Sequence, residues 1–167
     1  AERRGLTLKS IVFPRNQYSD ESLAVCKAIG LTHFRGNAKG WAYRALPGAG
    51  QTRPRRAVRL LDAYSGALGA QLCEPATRNG LVDVPASRFL RPCAGRLAPL
   101  HPLHLVTIKR GMTAAAEQGK GYHLWWHPHN FGRELEANLQ GLAQILGHFR
   151  ALRDQFGMVS CAMADIQ

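Results

Sequence analysis

The feature that most constrains this chain is an alternation of short apolar runs with helical stretches, in which each run stops at Pro or Gly and gives way to a polar cluster. Ile11 to Phe13 ends at Pro14, with Arg15, Asn16 and Gln17 behind it. "LTHFRGN" closes on Arg35, Gly36 and Asn37; Leu81, Val82 and Val84 stop at Pro85, ahead of Ser87 and Arg88. Tyr122 to Trp126 gives way to His127, Pro128, His129 and Asn130. Apolar runs of this length bounded by breakers read as buried strands.

Between them lie helices with signalled ends. Ser19 is a natural cap before Asp20 and Glu21, and Gly30 is a stop. A second helix is expected over Ala57 to Leu72, and "LHLVTIKRGMTAAAEQGK" has the composition of a third. In the last, Leu135, Leu139, Leu142, Ile145, Leu146, Phe149 and Leu152 recur at the helical period, so that stripe is expected to face inward.

Strands alternating with helices argue for parallel strands joined by helical crossovers, in a barrel or a doubly wound sheet. In such folds the loops after the strands converge on one edge, so the four polar clusters are expected to face one cleft.

At 167 residues and 46% hydrophobic content the chain suits a single domain with a real core. Its 22 Lys and Arg against 11 Asp and Glu give a formal charge of +11, which suits nucleic acid, acidic polysaccharide or anionic lipid. Only "RPRRAVR", Arg53 to Arg59, concentrates that charge, and no stacking pattern accompanies it, so a solvated helix face is favoured over a nucleic-acid site. Cys26, Cys73, Cys93 and Cys161 are spaced too widely for a zinc knuckle or a thioredoxin-type site and read as thiols; a Cys73 to Cys93 bridge is left open. No run is long enough for a membrane span and "AERRGLTLKS" has no signal core, so a soluble, cytoplasmic protein is expected.

"YHLWWHPHNFG" carries the densest chemistry. Residues two apart on a strand share a face, so His127 and His129 can present two imidazoles to one cleft, as metal pairs and acid/base histidines do. No third ligand and no paired carboxylates accompany them. A catalytic or substrate-contacting His127, a metal site and purely structural histidines all remain open, with His123 read as structural. Trp125 is expected in the core and Trp126 toward the cleft.

Together "SIVFPRNQ", "GLTHFRGN", "LVDVPASRFLRP" and "YHLWWHPHNFG" resemble, in that order, a surface-polysaccharide branch of the polysaccharide deacetylase-like family, from about Ser10 to about Asp165. The resemblance implies a TIM-barrel-like (β/α) fold and metal-dependent hydrolysis of N-acetyl groups on sugars. His127 would take the place of the late acid histidine. Arg15 would stand for the base-orienting arginine, although Pro and Arg are reversed in "FPRNQ". Asn16, Arg35, Asn37, Ser87, Trp126, His129 and Asn130 would line the sugar groove. The family's paired-aspartate and histidine metal motifs find no match, so the chain itself is expected to supply no metal ligand and no cofactor. Zinc or a similar ion is implied only for a complete family member.

On this resemblance residues 1 to 167 are one domain, the C-terminal half of a deacetylase-like barrel. The fold class expected is α/β: a partial (β/α) barrel of parallel strands with helical crossovers, or an open sheet because the first strands are missing. An isolated half is expected to be inactive and to seek its N-terminal half or a second copy. The alternatives are a non-catalytic carbohydrate-binding or scaffold module and, less favoured, a basic nucleic-acid binder. Acetylated polysaccharide or oligosaccharide is the expected partner.

Overall fold

The computed structural model describes residues 7–43 and 52–166. Four strands form the main sheet: β1 (Ser10–Ile11), β2 (His33–Gly36), β3 (Ala76–Arg78) and β4 (Leu81–Pro85), in spatial order β1-β2-β4-β3. β1, β2 and β4 run parallel, with Ser10 opposite His33 and Phe34 opposite Asp83; β3 is antiparallel to β4. A two-residue turn, Asn79 and Gly80, joins that hairpin, both with positive φ (50° and 77°), the conformation Asn-Gly supplies at low cost.

β4 cannot extend as a plain ladder because Pro85 has no N–H to donate. After Ala86 and Ser87 the chain resumes as β5 (Arg88–Phe89), parallel to β6 (Leu124–Trp125) in a second two-stranded sheet. The Ser87 amide donates to the His123 carbonyl (2.9 Å), and the His123 amide to Ser87 Oγ (2.9 Å), which ties the two pieces together.

The fold is therefore an open, mostly parallel α/β sheet with helical crossovers. The TIM-barrel expectation is corrected: among the described residues β1 is paired only with β2 and β6 only with β5, so nothing closes the ring.

Helix α1 (Asp20–Ala28) starts at a capping box in which the Ser22 amide donates to Ser19 Oγ (3.2 Å) and the Ser19 amide to Ser22 Oγ (2.9 Å). Its Leu23 and Cys26 pack with Leu31, Phe34 and Leu81 into one apolar cluster. Helix α2 spans Arg53–Ser65, not 57 to 72: Pro54 suits a first turn, and Gly66, at φ 68°, ends the helix early. Helices α3 (His101–Glu117) and α4 (Leu135–Phe156) enclose the second cluster, Leu90, Leu105, Ile108, Met112, Phe131, Ile145 and Leu152.

The inward stripe of α4 also needs correction. Leu135, Leu139 and Leu146 are about half exposed, whereas Asn138, Gly141, Ile145 and Leu152 are buried. Gly141 rotates the packed face toward itself: a Cβ there would lie 2.8 Å from His101 Nε2, so its absence lets α3 approach.

All four cysteines are free thiols, so no Cys73 to Cys93 bridge forms. Among the described residues no helix is long and apolar enough to cross a membrane.

Candidate functional site

The ends of β1, β2, β5 and β6 open on one cavity of about 600 Å³, inside the usual range for small-ligand pockets. Beyond β1 the chain makes a tight turn at Pro14–Asn16, where Arg15 and Asn16 both hold left-handed conformations (φ 56° and 51°). Asn adopts such angles readily, but for Arg15 they cost about 1–2 kcal/mol and persist only where neighbours enforce them. Here the neighbours come from β2. The buried Arg35 donates from Nε (3.0 Å) and Nη2 (2.8 Å) to Asn16 Oδ1, and Asn37 Nδ2 donates to the Asn16 carbonyl (3.1 Å).

Arg35 also lies over the Trp125 ring, with Cζ 4.2 Å from the centroid. Burial pulls its guanidinium pKa down from the ordinary value. Phe89 packs at 4.5 Å on Trp125, and His127 meets the same ring edge-on at 5.4 Å. A cation over an indole thus forms one wall, with the His127 imidazole at its rim.

Arg88 enters from β5 already neutralised. Its Nη1 lies 3.2 Å from Asp62 Oδ2, and both side chains are buried. Asp62, on α2, accepts in addition from the Tyr43 hydroxyl and the Leu68 amide (2.7 Å). Burial, then the hydrogen bond to Asp62, pushes the Tyr43 hydroxyl pKa up, so Tyr43 remains a proton donor.

His104, fully buried, lies with Nδ1 2.7 Å from the Ala63 carbonyl and accepts the Arg91 amide at Nε2 (3.0 Å). Burial holds its pKa down at about 4, so the ring is neutral with Nδ1–H donating. It fixes the loop that carries Arg91 into the cavity.

Of the residues expected to form the site, Arg15, Asn16, Arg35, Asn37, Ser87 and His127 all line this cavity. Trp126, His129 and Asn130 do not. Strand alternation puts Trp125, not Trp126, on the side of His127, and Trp126 instead stacks on Phe131 (6.3 Å, 15°). The turn Pro128–Phe131 ends the strand, leaving the His129 ring stacked on His127 at 5.2 Å and 19°. His123 sits below the site; burial and then the charge of Arg35 lower its pKa, which keeps it neutral.

The resemblance implies zinc for a complete relative, but the residues present do not fit one. Among the described residues no group of three or more His, Cys, Asp or Glu side chains could hold a metal.

Sequence reasoning missed Tyr43, Arg59, Phe89, Arg91 and Trp125 as lining residues. The shared parity of Trp125 with His127 was the available signal for one of them. The Arg53 to Arg59 run does not form one solvated face: Arg55 is buried and donates to the Trp41 carbonyl, and Arg59 reaches the cavity.

A larger hollow, about 1270 Å³, adjoins across Phe13, Asn37 and Ala38 and runs toward Tyr18, Trp41 and Asp83. It opens on the face that carries α1. The convergence of four strand ends marks the smaller cavity as the functional candidate.

No family model, curated protein or solved structure matches this chain. The four sequence segments alone carry the deacetylase resemblance, and a description of the chain as a deacetylase or hydrolase is corrected for want of any supporting relative.

Proposed function

We propose that the cavity at the strand ends is a glycan-binding site and that this chain acts through it as a carbohydrate-recognition module. The observation that carries the reading is the Arg35–Trp125 stack framed by Asn16, Asn37 and Ser87. An aromatic face suits the apolar C–H side of a sugar ring, while fixed amides, a hydroxyl and a guanidinium suit its equatorial oxygens.

Binding is favoured over chemistry by the lining itself. Among the described residues no Asp or Glu lines the cavity, so none of them supplies a carboxylate as general base. His127 is then a ligand contact at the rim. A cytoplasmic location belongs to the same proposal, since four cysteines in thiol form suit a reducing compartment.

Calorimetric titration of N-acetylated and uronic-acid oligosaccharides into the intact chain tests this. Trp125→Ala should weaken binding by about tenfold or more, as loss of a central aromatic contact does. Equal affinity in the wild type and Trp125→Ala for every glycan that binds would overturn the proposal, as would no glycan binding at all.

A further inference from the structure

We infer that the group anchoring a ligand in this cavity is an anion, a carboxylate, sulfate or phosphate carried on a sugar, seated against Arg35 with Arg15 and Arg91 beside it. The inference rests on the glycan-binding reading for the sugar but on independent observations for the charge.

The first is a charge census. Arg15, Arg35, Arg59, Arg88 and Arg91 line the cavity, and among the described residues no carboxylate lines it. Arg88 is balanced from behind by Asp62. Among the described residues no carboxylate lies within ion-pair distance of Arg15, Arg35 or Arg91.

The second is the state of Arg35. It is buried, and its partners, the Asn16 amide oxygen and the Trp125 ring, carry no net charge. Taking a cation out of water costs several kcal/mol even after relaxation, and neutral acceptors return only part of it. Nε and Nη2 are spent on Asn16, while Nη1 makes no hydrogen bond to the described residues. The guanidinium is held over an indole, its position set by two hydrogen bonds to one oxygen, with an unused donor left over. That is preorganisation for a planar or tetrahedral anion.

The third is strain at the same point. Arg15 is held left-handed at φ 56°, a strained conformation for its side chain, and the turn it makes aims the Oδ1 of the next residue, Asn16, at Arg35. A desolvated charge and a strained turn at one locus are costs that a site retains when a ligand is to be met there. The net charge of +11 adds a field that draws such a ligand in.

The test uses the intact chain in calorimetry with three probes: oligogalacturonate, its neutral methyl ester and inorganic phosphate, each at low and at physiological salt. The expected result is about tenfold or more tighter binding of the acid than of the ester, since charge-assisted bonds to a fixed guanidinium differ from neutral ones by at least that factor. Arg35→Gln should abolish the preference. Because Arg35 is buried, Arg91→Gln is the second variant; its fold is checked by circular dichroism, and it should reduce the preference several-fold. Acid and ester binding within twofold of each other, both weakened by Trp125→Ala, would overturn the anion inference and leave the glycan reading standing. Phosphate binding that is lost in Arg35→Gln, with neither oligosaccharide bound, would support the anion site and overturn the glycan reading.

Discussion

Arg35 donates two hydrogens, from Nε at 3.0 Å and from Nη2 at 2.8 Å, to the single Oδ1 of Asn16, and so joins the end of β2 to the strained turn after β1. Each residue depends on the other. Asn16 keeps a positive φ because its side chain is held, and Arg35 stays fixed over Trp125 because Oδ1 holds it.

Replacing Asn16 separates those two roles. Asn16→Gly accepts the left-handed backbone but removes the acceptor, and should cost about 1–3 kcal/mol, the penalty of a buried donor left unmade. Asn16→Ala adds the conformational cost of about 1 kcal/mol and should be the less stable of the two. Urea unfolding of both variants measures the difference; equal midpoints would show that the turn stores no strain.

Asp62 and Arg88 form a buried pair, with the Asp62 side chain 1% and the Arg88 side chain 6% exposed. Removing one partner of such a pair leaves the other charge uncompensated, so Asp62→Ala should cost about 3–5 kcal/mol. Asp62→Asn keeps an acceptor for the Leu68 amide and should cost less. Thermal unfolding of the two variants ranks them, and a small loss in Asp62→Ala would mean that Arg88 finds water in the cavity.

His104 makes stability depend on pH. Its folded pKa of about 4 lies below the ordinary 6.5 because burial penalises the charged ring. Between those values the unfolded chain carries a proton that the folded chain does not, so stability is fully present above about pH 6.5 and falls as pH drops toward 4. The loss from this residue is at most about 3 kcal/mol. Chemical denaturation from pH 8 to pH 4 should show it, and His104→Gln, unable to titrate, should flatten that part of the profile.

Much of the site was legible because strands of a parallel sheet deliver their trailing residues to one edge. Arg15, Asn16, Arg35, Asn37, Ser87 and His127 could be placed together from order alone. What stayed hidden depends on pairings between elements far apart in sequence. Asp62 reads as one more polar residue on a basic helix until Arg88, 26 residues on, is brought against it. His104 sits in an apolar helix with no local sign that the Ala63 carbonyl and Arg91 amide await it. The stripe on α4 misled because periodicity fixes a face only to within about a third of the helix, and Gly141, with no side chain to count, decided the rotation. The hairpin turn at Asn79 and Gly80 was a readable Asn-Gly signal whose first strand, exposed throughout, has no apolar pattern to announce it.

Gly36 offers the sharpest steric test. It stands opposite Pro85 on β4, diagonal to Asp83, and a Cβ added to it would lie 1.8 Å from Asp83 Oδ1, too close for any real contact. Gly36 does not have a positive φ, so the backbone would accept alanine and the whole cost is the clash. Relief requires the Asp83 carboxyl to swing away; its Oδ1 is buried with no hydrogen-bond partner, and burial raises its pKa despite Arg78 nearby. Gly36→Ala should therefore destabilise the fold by about 1–3 kcal/mol, the usual range for overpacking. In Gly36→Ala/Asp83→Ala the clash disappears together with an unsatisfied carboxylate, so the double variant should be more stable than Gly36→Ala alone, with a coupling of about 1 kcal/mol or more. Urea denaturation of the four members of that cycle measures the coupling. Strict additivity would show that Gly36 is required for something other than the space Asp83 occupies.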